Sequence, residues 1–273
     1  VAPGRRRLDA ELVRRKIARS REQAVEWIKS GKVSVGGFVA TKPATVVEPD
    51  VSIKVAASSD DEWASRGAHK LIGALDAFVP HGLQLEDRRA LDAGASTGSF
   101  TDVLLTRGVK EVVAVDVGYG QLIWRLQNDD RVVVLDRTNI RHLTPDMMGG
   151  PADLMVGDLS FISLKLVLPA IAACMTDGAD LLPMVKPQFE VGKERLGHGG
   201  VVRSDELRAE VTHDIAAFAL TLGLSCKAVV ASPLPGPSGN VEYFLWLVKD
   251  GGQSGPSDDE LVHMIATAVE EGP

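Results

Sequence analysis

Two short apolar runs separated by a glycine turn and a helical pattern restrict the fold most: RRALDAGASTGSFTDVLLTRG at residues 88–108, then VKEVVAVD at 109–116. Each run is strand-length and rich in residues that suit a pleated, buried surface. A helix between two strands carries the chain back to its starting end, so the strands lie parallel, and a parallel sheet must be covered on both faces. Further runs follow at RVVVLD (131–136), ADLMVGD (152–158) and ADLLPMVK (179–186), and the series predicts a doubly wound α/β sheet.

The first turn narrows the ligand. Gly94 and Gly98 let the backbone approach a bound molecule, and Asp116, 22 residues after Gly94, is placed to accept hydrogen bonds from ribose hydroxyls. The dinucleotide fingerprint GxGxxG is absent, as is a phosphate loop ending in GK[ST]. Asp92, just before the turn, would repel a pyrophosphate and suits a ligand with an amino group and a sulfonium. The spacing alone does not choose the cofactor. However, LDAGASTGSFTDVLL with Asp116 at the next strand end resembles the S-adenosylmethionine motif of class I methyltransferases. That resemblance implies Gly94, Ala95 and Gly98 beside the cofactor, Asp92 near its methionine portion, Asp116 on the ribose and Asp136 in the adenine region, where Thr138 or Asn139 could serve instead.

Four polar residues converge on one edge. Asp158 and Lys186 each end a strand, and Pro187 stops the second from running on. Parallel strands bring both to the carboxyl edge, where open α/β sheets bind ligands. CKAVVASPLPGPSGNVEYFLWLVK reads as strand, Pro/Gly-rich turn and final strand starting near Glu242. In doubly wound methyltransferases the last strand runs antiparallel, which would bring Glu242 to the same edge. Lys70, in RGAHKL, lies on the helix before the first strand. Two carboxylates with two ammoniums describe a charge-compensated site. A ribose 2'-hydroxyl is a poor nucleophile at neutral pH, and a lysine can take its proton only when its own pKa is brought down. Lys186 is read as the general base, Lys70 as the cation that orients the hydroxyl, Glu242 as the acceptor fixing lysine geometry, and Asp158 as the group holding Lys186. No metal is expected: the six histidines show no HxxH or HxxxH pair, and Cys174 and Cys226 read as reduced core thiols.

The first sixty residues differ in charge from the rest. They hold twelve Lys or Arg against seven Asp or Glu, within a chain of net charge −7. Leu8, Leu12 and Val13 share one helical face, Ser20 with Gln23 opens a second helix, Gly31 closes it, and Gly36-Gly37 marks a hairpin before a last strand at 51–55. Arg5, Arg6, Arg7, Arg14, Arg15, Lys16, Arg19 and Arg21 are expected on the polar faces of the two helices, as a surface for structured RNA. The pattern resembles the S4-type RNA-binding domain. The expected organisation is an S4-like α+β domain over 1–59, a linker over 60–64 and a methyltransferase domain over 65–273 with a mostly parallel sheet and antiparallel last strand.

Lys70, Asp158, Lys186 and Glu242 match the Lys-Asp-Lys-Glu tetrad of heat-shock-type RNA 2'-O-ribose methyltransferases. With the S4-like start, the whole chain resembles the TlyA group of bacterial proteins. The resemblance implies S-adenosylmethionine as cofactor and 2'-O-methylation of cytidines in 16S and 23S ribosomal RNA, with 30S and 50S subunits as partners. Two other classes are weighed: a non-enzymatic ribosome-assembly factor that has kept the fold, and a membrane-active haemolysin. No apolar stretch approaches the ~20 residues of a membrane span, and the basic N-terminus has no apolar h-region behind it. These features give the expectation of a cytoplasmic monomer without stable membrane association. The glycine-rich loop EVGKERLGHGGVVRS after Lys186 reads as a solvated loop, a lid or an RNA contact.

Overall fold

The computed structural model describes residues 4–18, 20–55 and 63–273, and the chain divides into two compact units, Val1–Glu62 and Trp63–Pro273. In the smaller unit β1 (Arg6–Arg7) leads directly into α1 (Leu8–Arg14), followed by α2 (Arg21–Lys29), β2 (Val33–Val35), β3 (Phe38–Val39), β4 (Val46–Val47) and β5 (Ile53–Val55). Leu8 and Leu12, one helical turn apart, are fully buried with Ala24, Ile28 and Val33. Ser20 Oγ accepts from Gln23 N–H at 3.2 Å and so caps α2. Gly36 and Gly37 both have positive φ, 57° and 91°, which turns β2 into β3 with Val35 opposite Phe38. The pairing of β1 with β4 has no counterpart in the sequence pattern, because two-residue strands carry no readable alternation.

The larger unit starts with α3 (Ala68–Phe78). It continues through β6 (Arg89–Ala93), α4 (Ser99–Thr106), β7 (Glu111–Val115), α5 (Trp124–Gln127), β8 (Val132–Leu135), β9 (Ala152–Gly157), α6 (Leu168–Ala173) and β10 (Met175–Val185). It ends with α7 (Pro187–Glu190), α8 (Asp205–Thr221), β11 (Leu224–Ala231), β12 (Tyr243–Lys249) and α9 (Asp258–Glu270). Among the described residues these strands form a seven-stranded sheet of order β11-β12-β10-β9-β6-β7-β8. β10, β9, β6, β7 and β8 pair in parallel, and β12 runs antiparallel to both β10 and β11. The fold is therefore the expected Rossmann-like sheet with an antiparallel last strand.

Two apolar clusters cover the sheet faces, one including Leu71, Leu75, Phe78, Val103 and Leu104 from α3 and α4, the other Ile215, Ala219, Ile265 and Val269 from α8 and α9. Trp63 packs against the first. Burial of these side chains contributes roughly 1.5–3 kcal/mol for each large residue. It fixes the order of the strands, and with it the residues that emerge at the carboxyl edge. Both cysteines are free and buried. Among the described residues no helix is long and apolar enough to cross a membrane.

Candidate active site

The site is built where β6, β9 and β10 end and β12 begins. Pairing of β9 with both β6 and β10 sets Asp158, the residue after β9, between the glycine turn and Lys186. Because β12 is antiparallel, Val185 lies opposite Tyr243, which puts Glu242 beside Lys186. Lys70 reaches the same place from the first turn of α3.

The four side chains form a continuous ionic row. Lys70 Nζ donates to Glu242 Oε2 at 2.5 Å and lies 4.0 Å from Asp158 Oδ2. Lys186 Nζ stands 2.5 Å from Asp158 Oδ1 as an ion contact, and its directed hydrogen bond goes to Ser160 Oγ at 2.7 Å. Asp158 therefore bridges the two ammoniums, while Glu242 grips Lys70. Glu242 is wholly buried and both lysines nearly so, whereas the Asp158 side chain is 26 % exposed and marks the open mouth of the row. Two positive and two negative charges cancel, which makes this degree of burial tolerable.

The glycine turn abuts the row. Gly94 has φ of 84°, and a Cβ there would sit 3.0 Å from the Asp158 carbonyl oxygen, so only glycine fits the approach. Gly94 and Ala95 N–H both donate to Val115 O, at 2.9 and 3.1 Å, and hold the turn over the end of β7. Asp116 is half-buried next to it, accepting from Ser96 N–H at 2.8 Å and Gly118 N–H at 2.7 Å. Asp136 accepts from Gly120 N–H at 2.9 Å and joins the following loops. A Cβ at Gly98 would meet Leu126 and Leu122 at 2.5 and 2.6 Å.

Asp92 belongs to the end of β6, just before the glycine turn. It is wholly buried beneath the turn, with Oδ2 accepting from Thr101 N–H at 2.9 Å and Thr101 Oγ1–H at 2.7 Å. Burial pushes its carboxyl up to about 7 against the pull of these bonds, and the Asp158 and Asp116 carboxylates add to the rise. Its other oxygen, Oδ1, is buried without a hydrogen-bond partner among the described residues.

Four features at the mouth escape a reading by strand ends alone. Ser160, within the loop after β9, receives the Lys186 hydrogen bond. Phe161 has φ of 63°, a strained value for a bulky residue, and is 90 % exposed, with its ring 5.1 Å from that of Phe189 on α7. Gln188 Nε2 donates to Glu242 Oε1 at 3.5 Å. Glu190 ties the two segments together by accepting from Ser163 Oγ–H at 2.6 Å and Leu164 N–H at 2.8 Å. An aromatic directly after a serine, just past the strand end at Asp158, is a signal that could have been noticed. The positive φ could not.

In the smaller unit Arg14 lies in α1 and Arg21 in α2, while the other described basic residues of the set lie outside the helices. Arg5 pairs with Glu48, and Arg6 and Arg7 lie in β1. Arg7 and Arg21 converge on buried Asp9, and Arg14 and Arg15 on buried Glu11. Arg15 also donates to the carbonyl oxygens of Val51 and Pro49, both at 2.7 Å, so it is a structural clasp. Lys16 lies past the end of α1 with φ of 58°. The buried carboxylates organise the arginines, leaving Arg7, Arg14 and Arg21 about half exposed. Arg19 and the 60–62 part of the expected linker lie outside the described residues.

Comparison with known proteins identifies both units. The FtsJ-like methyltransferase family matches residues 63–249 and the S4 domain matches residues 6–53. The chain is 56 % identical over 271 residues to the 16S/23S rRNA (cytidine-2'-O)-methyltransferase TlyA of Mycobacterium tuberculosis, covering 98 % of this chain and 99 % of that one. It is 34 % identical to Hemolysin A of Brachyspira hyodysenteriae, over 87 % and 98 % of the two chains. A solved structure from Streptococcus thermophilus that carries the name hemolysin superposes with a TM-score of 0.76 at 36 % identity, covering 98 % of this chain and 96 % of that one.

Proposed function

Because the chain belongs to the FtsJ-like methyltransferase family, we propose that it methylates the ribose 2'-hydroxyl of cytidines in 16S and 23S ribosomal RNA, using S-adenosylmethionine. The observation that carries this reading is the row Glu242–Lys70–Asp158–Lys186 at the open edge of the sheet, directly against the glycine turn. A charge-balanced pair of lysines suits removal of a proton from an alcohol, and serves no obvious need of the fold.

The residues around the turn fit the cofactor. The close approach at Gly94 leaves a backbone cradle, Asp116 offers a carboxylate beside it, and Asp92 brings an unpartnered oxygen beneath. Gly94, Ala95 and Gly98 would flank it, Asp116 would hold ribose hydroxyls, Asp136 would border the adenine, and Asp92 would favour the ammonium. When bound, S-adenosylmethionine supplies an electrophilic methyl group. Lys186, after giving up its ammonium proton, acts as the general base whose neutral amine takes the 2'-hydroxyl proton, and Asp158 with Ser160 fixes that amine at the mouth. Lys70, clamped by Glu242, presents the second cation to the same carboxylate and orients the hydroxyl. Exposed Phe161, backed by Phe189, offers an aromatic face on which the base of the target nucleotide can stack.

The small unit supplies RNA affinity. Arg6, Arg7, Arg14, Lys16 and Arg21 are its proposed phosphate contacts, since all are exposed, while Arg15 is occupied by carbonyls. Arg5 and Arg19 complete the set read from the sequence.

The test is incubation of labelled S-adenosylmethionine with separate 30S and 50S subunits lacking the modification, using wild type and Lys186→Ala. Labelled 2'-O-methylcytidine is expected from wild type alone. Labelling of neither subunit by a chain that binds the cofactor would overturn the assignment.

A further inference from the structure

The glycine-rich segment that follows Lys186 is not a free loop. Val191 at its start and Val202 near its end are both buried, and pack with Val211 of α8 and the partly buried Leu196 and Leu207. Between them the chain passes Gly192, Gly199 and Gly200, each with positive φ. The returning end is fastened by a single side chain from another part of the molecule. Asn240, 2 % exposed, donates from Nδ2 to Gly200 O at 2.9 Å and accepts at Oδ1 from Val202 N–H at 2.9 Å. One amide thus satisfies a carbonyl and an N–H of the same loop, as a neighbouring strand would.

The main chain of Asn240 is equally committed. Its carbonyl accepts from Gly236 N–H at 2.8 Å, closing the 236–239 turn whose own Gly239 N–H donates to Gly236 O at 2.9 Å. That turn lies against Glu242: a Cβ on Gly236 would fall 2.7 Å from Glu242 Oε1. The Glu242 carbonyl accepts from Ser232 N–H at 2.7 Å on the far side of the same turn. Asn240 therefore joins the segment leaving Lys186 to the segment presenting Glu242, without any hydrogen bond to either side chain.

We infer that Asn240 is a positioning residue that clamps the loop after the general base to the turn holding Glu242, so that both ends of the ionic row keep one spacing. The inference rests on the methyl-transfer reading above. It assigns the loop's fixed end, at Gly200 to Val202, to the rim of the site, and leaves the exposed arc carrying Lys193 and Glu194 to face the substrate RNA. Loss of the clamp lets Glu242, and with it Lys70, shift relative to Lys186. A displacement of about 1 Å in such a site lowers the rate by about 100-fold.

The experiment compares wild type, Asn240→Ala and Asn240→Asp as full chains. Asp keeps an acceptor for Val202 N–H but sets a carboxylate oxygen against the Gly200 carbonyl, so both variants should release the loop. Measured are methyl transfer in single turnover and over a range of subunit concentrations, S-adenosylmethionine affinity by calorimetry, and hydrogen exchange of amides 192–202. The expected result is transfer slower by about 100-fold, cofactor affinity and subunit KM within about twofold of wild type, and faster exchange at Val202. Transfer at the wild-type rate despite a freely exchanging Val202 amide would overturn the clamp's role. So would parallel loss of cofactor binding in both variants, which marks general collapse. Were wild type itself to transfer no methyl group, the reaction assignment would fall and the clamp's catalytic role with it, an outcome distinct from an active wild type with equally active variants.

Discussion

Asp92→Asn tests whether the buried carboxylate costs the fold stability that a bound ammonium could recover. Burial raises the Asp92 carboxyl from 3.8 in the ordinary state to about 7. The folded chain then holds this proton more tightly than the unfolded chain, so between about pH 4 and 7 it binds more protons. Wild-type stability must fall through that window as pH rises and level off above it, by about 4 kcal/mol at most for a shift of about three units. Asparagine cannot titrate and lacks this slope. Its Oδ1 can still accept from Thr101, and its amide nitrogen takes the place of the unpartnered oxygen. That unpaired N–H costs about 1–3 kcal/mol at every pH. The informative quantity is therefore the pH dependence of the difference between the proteins. Urea unfolding followed by tryptophan fluorescence at pH 5, 6, 7 and 8 should show Asp92→Asn gaining on wild type by at least about 2 kcal/mol between the ends of the series. Calorimetry at pH 8 should show weaker S-adenosylmethionine binding by the variant. Stability curves that run parallel from pH 5 to 8 would refute the reasoning, since ionisation of Asp92 would then carry no cost.

Other perturbations separate the remaining roles. Glu242→Ala leaves Lys70 buried beside a vacated partner and should destabilise the larger unit by about 3–5 kcal/mol, whereas Lys70→Met with Glu242→Gln removes both charges and should cost much less; thermal unfolding of the three proteins decides. Phe161→Gly should hold or raise stability by up to about 1 kcal/mol by relieving the positive φ, yet slow methyl transfer by about tenfold through loss of a stacking face; unchanged transfer would remove the base-stacking role. In the smaller unit, hydrogen bonds from arginines hold Asp9 and Glu11 down to about 2, against the opposing effect of burial. Their ion pairs therefore stabilise the unit above about pH 4 and lose that contribution as pH falls toward 2. Hydrogen exchange in α1 should show this, and Asp9→Asn should flatten the Asp9 part of the profile.

How much of this was legible depends on whether a residue's position follows from local pattern. Asp116, Asp158 and Lys186 each terminate an apolar strand, and the parallel topology places all three at one edge without any knowledge of side chains. Glu242 required one further rule, reversal of the last strand, and the pairing of Val185 with Tyr243 supplies it. Lys70 is harder: it lies 172 residues from the carboxylate that grips it, and nothing in RGAHKL announces the contact. The arginines show the opposite difficulty. Their number was plain in the sequence, but not that Asp9 and Glu11 would be buried beneath them, because two short helices give little warning of which acid turns inward. Phe161 and Asn240 depend on backbone geometry and tertiary contact, which periodicity does not encode.

Several departures from ordinary folding rules nevertheless gather at the catalytic edge. A carboxyl group is buried with an oxygen unmatched at Asp92, a phenylalanine adopts a left-handed backbone at Phe161, and Lys70 and Glu242 sit together out of water. Each is unfavourable or at best neutral for stability when taken alone. Elsewhere the larger unit keeps its apolar faces inward and caps the long α8 and α9 with Ser204 and Ser257, although Arg88 Nε and Arg208 Nε are buried without hydrogen-bond partners among the described residues and Asp87 and Arg137 have positive φ. A chain selected only to fold would have no reason to gather such features at one sheet edge. Their coincidence is an argument for function independent of sequence similarity, and it makes a specific demand. Replacing these groups with residues that satisfy the local rules should leave the fold intact or firmer while methyl transfer declines, whereas substitutions of equal size on the α9 face should move stability and activity together.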